Sequence, residues 1–176
     1  MGFLRFIFGF FVFLWSVISL AQEEDAILWH PKQRLSWANF KAEPIEGSKV
    51  AATTASGLSY QFSATEADGK YELDYSVNTF FYPNRSWYQP KICDEVILSH
   101  EQLHFDISEL FARKMRKIMD TTTFTKNVKA EVKAIYRQIN KELAEYQQVY
   151  DNDTNYSRNI EEQQSWNQKI KDALGN

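Results

Sequence analysis

The spacing of apolar residues changes period midway along this chain, and that change dictates most of what it can fold into. Leu58, Tyr60, Phe62 and Ala64 alternate with Ser59, Gln61 and Ser63; Tyr71, Leu73, Tyr75 and Val77 alternate with Glu72, Asp74 and Ser76. Period two marks strands buried on one face. Between the runs lies Asp68-Gly69, a pair suited to a two-residue hairpin turn. The expectation is an antiparallel hairpin of 57–65 and 70–81, with an earlier strand in 49–56. Trp29 and Leu35-Ser36-Trp37 are expected to cover one face of the sheet. Beyond Pro83 and Pro90, steps of three and four take over through Cys93, Val96, Ile97, His100, His104, Ile107, Phe111, Met115 and Ile118. That stripe predicts a helix over 93–119. Val128, Val132, Ile135, Ile139, Leu143 and Tyr146 predict a second helix over 126–149, followed by a polar turn at 151–159 and a third helix over 160–173. Strands first and helices afterwards imply an α+β fold: a small antiparallel sheet packed on one long helix plus two further helices.

The first 21 residues read as an address. Arg5 is their only charge, Phe6 to Leu20 is apolar or small, and Ser19-Leu20-Ala21 offers a small-x-small exit before Gln22-Glu23-Glu24-Asp25. This is the pattern of a secretory signal peptide, with an uncleaved anchor as the alternative. Residues 22–176 are then a single domain, exported to a periplasmic or extracellular space. The lone Cys93 excludes an internal disulfide, and the net charge of −3 argues against a nucleic-acid partner. Membrane contact is expected only through an uncleaved signal segment.

One motif carries chemistry: His100-Glu101-Gln102-Leu103-His104. Four residues apart on a helix, the two imidazoles share a face and can reach one Zn²⁺, with Glu101 beside them as general base. Both histidines sit on the apolar stripe and therefore face inward. The remaining His30, beside Pro31, reads as a loop residue. Cys93 reads as a small apolar residue at the helix start, and Trp87 and Tyr88 are candidates for lining a substrate groove or, equally, for packing over the helix start.

The run Leu98 to Ile107, continuing into Phe111-Ala112-Arg113-Lys114, resembles domain-of-unknown-function family 922, whose members carry the label of predicted secreted zinc-dependent proteases. Leu35-Ser36-Trp37 with Phe40, Ser86-Trp87, Tyr150-Asp151 with Thr154, and Gln163 with Trp166 extend the resemblance over nearly all of residues 22–176. It implies a zincin-like fold, a zinc cofactor and a peptide or protein substrate. The family's late histidine is replaced here by Tyr156, followed by Ser157. A catalytic zinc normally takes three protein ligands and keeps one position open. Tyr156, Asp151, Glu142 and Glu131 are the candidate third ligands, with a weak or absent metal as a further alternative. Asp106 belongs to the family string but points away from the histidine face.

The expected function is a zinc metallopeptidase in which Glu101 activates water, Tyr156 or Tyr150 donates to the developing anion, and substrate lies along strand 70–81. The competing expectation is a non-catalytic envelope binding or scaffold domain with a degraded metal site. A closed, structural zinc site is a third possibility.

Overall fold

The computed structural model describes residues 25–68 and 70–175; the expected signal segment lies outside them. Five strands precede three helices: β1 (Ile27–Leu28), β2 (Ala52–Thr53), β3 (Ser56–Ala67), β4 (Lys70–Phe81), β5 (Trp87–Tyr88), α1 (Glu95–Thr121), α2 (Val128–Asp153) and α3 (Ile160–Leu174). The fold is α+β, with a small antiparallel sheet and three helices.

The hairpin of β3 and β4 follows the alternation in the sequence. Its register runs from Ser56 opposite Phe81 to Ala67 opposite Lys70, and Asp68 takes a φ of 52° at the turn. Leu58, Val77 and Phe81 turn inward and are buried, while Ser63, Thr65, Glu72 and Asp74 face solvent. Two features depart from expectation. β1 adds a third strand beside β4, pairing Ile27 with Phe81 and Leu28 with Phe80. The early strand shrinks to β2, which leaves the main sheet and pairs with β5 instead.

α1 is the spine. Asp94 starts it by accepting hydrogen bonds from the Val96 and Ile97 amides, at 3.0 and 2.9 Å. Between His100 and Ala112 it is buried around most of its girth. One core cluster joins Leu103, Ile107, Phe111 and Met115 to Leu58 and Val77 of the sheet, Val132, Ile139 and Leu143 of α2, and Trp166 and Ile170 of α3. A smaller one joins Phe105 to Phe81, Leu35 and Phe40, with Trp37 and Tyr88 against it. Trp29 and the Leu35–Trp37 segment thus pack where the Phe81 end of β4 meets α1.

So wide a burial includes polar side chains, and Gln102, Asp106 and Glu109 among them have partners. Asp106 accepts from Trp29 Nε1 (2.8 Å), Arg34 (2.9 Å) and Gln102 Nε2 (2.9 Å), while Gln102 Oε1 takes the Leu35 amide (2.7 Å). Glu109 accepts from Thr79 (2.8 Å) and pairs with Arg113 and Arg116, both at 3.1 Å. Asp106 therefore ties the N-terminal segment to the back of α1.

Candidate metal centre

His100 and His104 sit one turn apart on α1, as their spacing requires, with ring centroids 4.9 Å apart and Nε2 atoms 3.2 Å apart. The last turn of α2 completes the cluster. Asp151 Oδ1 lies 3.2 Å from His100 Nε2 and 3.0 Å from His104 Nε2. The polar turn expected at 151–159 begins later, because the stripe Ile139, Leu143, Tyr146 continues to fully buried Tyr150 and carries α2 on to Asp153. Asp151 is a helical residue.

The three donor atoms fit a small divalent cation. Ligands ~2.0–2.1 Å from a tetrahedral zinc stand about 3.3 Å from each other; the separations here are 3.0 to 3.2 Å. Asp151 Oδ1 is also buried without a hydrogen-bond partner. An unsatisfied buried carboxylate oxygen is costly, and two ring nitrogens at this distance cannot both aim protons at each other. A cation held among the three would relieve both conflicts. Two imidazoles and a carboxylate are a donor set that zinc accepts.

Electrostatics point the same way. Burial alone would raise the Asp151 carboxyl, but the His100 and His104 rings beside it hold it well below the usual carboxylate range. Burial pulls the His104 imidazole down, yet Asp151 and Glu101 outweigh that and hold it above its ordinary value. The site favours positive charge between its walls.

Tyr150 forms the inner wall. Its ring stacks on His100 at 4.6 Å and meets His104 edge-on at 5.0 Å. Its hydroxyl donates to the His100 carbonyl at 3.2 Å and contacts Gln163, and burial pushes its pKa far up. Tyr150 is thus sealed within the core and is no donor to a substrate, contrary to the sequence expectation.

The donors open into a cavity of about 460 Å³, lined also by Glu101, residues 49–54, Gln147 and Tyr156 to Arg158. Among the described residues, no hydrogen bond engages the Glu101 carboxylate. Tyr156 is 53% exposed at the rim, and no hydrogen bond joins its hydroxyl to the three donors. The loop carrying it is unusual: Asn155, Tyr156 and Ser157 take φ values of 48°, 52° and 71° in succession. Left-handed backbone costs roughly 1–2 kcal/mol at each non-glycine residue. Buried Thr154, bonded to the Tyr150 carbonyl at 2.8 Å, and the Tyr156 amide, bonded to the Asp151 carbonyl at 2.9 Å, hold it in place.

The other candidates lie elsewhere. Glu142 pairs with Lys114 at 2.6 Å, Glu131 caps Thr125, and His30 is exposed. Cys93 is half-buried with its thiol on the Ala51 carbonyl. Trp87 is 7% exposed and Tyr88 stacks on Trp37 at 4.5 Å; neither lines the cavity, because both belong to the packing around β5. β1 covers β4 only at Phe80 and Phe81, and no β4 residue lines the cavity; the extended segment there is 49–54. Gln163, which sequence reasoning used only as a point of resemblance, touches His100 directly. Its position on the inward stripe of α3 with Trp166 and Ile170 was the available signal.

No curated protein and no solved structure matches this chain. A family model described as a bacterial protein of unknown function does match, over residues 33–158. That stretch holds both histidines, Glu101 and Asp151, and stops before α3. The chain belongs to this family, DUF922.

Proposed function

We propose that this chain is an exported, zincin-like zinc metallopeptidase, with His100, His104 and Asp151 holding the metal and Glu101 serving as general base. The observation that carries the reading is the convergence of two ring nitrogens on the unpartnered Asp151 Oδ1, beside Glu101 in an open cavity. When bound, zinc would supply Lewis acidity for a scissile carbonyl and lower the pKa of water. Glu101 takes the proton of the attacking water and delivers it to the departing amine. Tyr156, at the rim, is the phenol available to donate to the developing anion. β2 pairs with β5 on one side only, so its other edge supports an extended peptide lying along 49–54. The apolar start of the chain supports export.

The scaffold alternative drew on the replacement of the family's late histidine by Tyr156. Asp151 weakens it, since a third donor is present without that histidine. The test is cleavage of a peptide mixture by zinc-loaded protein. Chelation is expected to abolish cleavage, and Glu101→Gln to slow it by ~10²–10⁴ while one zinc per chain is retained. A Glu101→Gln protein as fast as its parent would sink the peptidase reading. A chain that takes up no divalent ion would favour the scaffold.

A further inference from the structure

The three donors can receive a cation only if their lone pairs face one another. For a neutral imidazole this means that the proton sits on Nδ1, away from the metal. Something must hold it there, because Asp151 Oδ1 lies 3.2 Å from His100 Nε2 and would otherwise attract the proton to that side.

We infer that Gln163 is the positioning residue for this centre: its side-chain carbonyl accepts the His100 Nδ1 proton and fixes the ring with Nε2 free for metal. The proposal rests on the zinc reading above and adds a residue of α3, which lies beyond the family-matched stretch.

The hydrogen bonds carry it. Gln163 Oε1 stands 2.9 Å from His100 Nδ1, and Gln163 is 2% exposed. The other end of the amide has its own partners: Gln163 Nε2 donates to the Tyr150 hydroxyl at 2.8 Å and to Asn167 Oδ1 at 3.0 Å. Asn167 is oriented in turn, its Nδ2 donating to Ser99 Oγ at 3.0 Å. With the nitrogen so engaged, the oxygen turns to His100. The opposite tautomer would place a proton near the Asp151 charge but outside hydrogen-bond geometry with Oδ1, and 3.2 Å from His104 Nε2. Tyr150 stacks on the imidazole with its plane tilted by 22°, so the ring cannot swing to find another acceptor. Histidines that ligate metals generally donate their second N–H to an oxygen, and losing that partner weakens metal binding ~10–100-fold. Here the oxygen belongs to a neutral amide, so it orients the ring without adding charge to the site.

The experiment compares the parent with Gln163→Met, which keeps length and removes the acceptor, and Gln163→Glu, which keeps an acceptor. Two-bond ¹H–¹⁵N correlation spectra of metal-free protein, recorded above the imidazole titration range, read the His100 tautomer directly. The expected result is Nδ1–H in the parent and in Gln163→Glu, and loss of that signature in Gln163→Met. Zinc affinity is expected to fall ~10–100-fold in Gln163→Met and to equal or exceed the parent's in Gln163→Glu. The proposal is overturned if His100 carries its proton on Nε2 in the parent, or if Gln163→Met keeps the parent's tautomer and zinc affinity. An Nδ1–H parent that binds no divalent ion would uphold the role of Gln163 and remove the zinc reading, so the two fail separately.

Discussion

Two polar clusters are built on α1 within a few turns of each other, and they end in opposite conditions. At the back, Asp106 and Glu109 collect three donor residues each, Trp29, Arg34 and Gln102 for the first and Thr79, Arg113 and Arg116 for the second, so their carboxylates are satisfied by the protein. At the front, His100, His104 and Asp151 converge until Asp151 Oδ1 is buried with no partner. Both clusters place acids near the core. The difference lies in completion: a polar group kept for structure is paired off, whereas one kept for a ligand is left short.

The largest expected contrast comes from removing one acid from each cluster. Asp151→Ala should abolish the stabilisation that zinc confers. For the parent this amounts to about 4 kcal/mol at a thousandfold excess of zinc over its dissociation constant, visible as a zinc-dependent rise in Tm. Asp106→Ala should leave zinc stoichiometry at one per chain yet cost ~2–4 kcal/mol in urea unfolding, because it strands the Trp29 and Gln102 donors and uncouples the N-terminal segment. If Asp106→Ala lost zinc while Asp151→Ala kept it, the contrast would be reversed.

The smallest effect tests an outlying member of the paired class. The Tyr75 hydroxyl donates to Asp120 and to the Arg116 carbonyl, and burial, followed by Asp120, pushes its pKa up to about 12 from an ordinary 10.0. The folded state prefers the neutral phenol, so this contribution is whole below pH 10 and is lost as the pH rises from there through 12. Tyr75→Phe should remove that alkaline limb and cost no more than about 1 kcal/mol at neutral pH. An unchanged alkaline unfolding profile would show that the hydrogen bonds are not maintained in solution.

Much of this was legible beforehand, and the failures share a cause. The hairpin, α1 and the inward His100 and His104 followed from periods set by the local backbone. α2 was expected to stop at 149 because Asp-Asn-Asp-Thr looks turn-like, yet buried Tyr150 continues the Ile139–Leu143–Tyr146 spacing and draws Asp151 into the helix. The sequence leaves Trp87 and Tyr88 open between lining a groove and packing over the helix start. Packing on Trp37 claimed Tyr88, and β5's pairing with β2 set both residues aside from the cavity. β1 is two residues long, too short for any alternation to announce it.

The amino-acid order alone set two histidines on one helical face with a glutamate between them, since that needs nothing beyond the pitch of an α-helix. Which acid joins them, and which amide holds His100, were decided when α2 and α3 packed on α1. Asp151 lies 47 residues beyond His104, and Gln163 lies 63 beyond His100. No local rule spans such distances. Only burial of the apolar stripes against one another fixes how the helices rotate and where their polar neighbours meet.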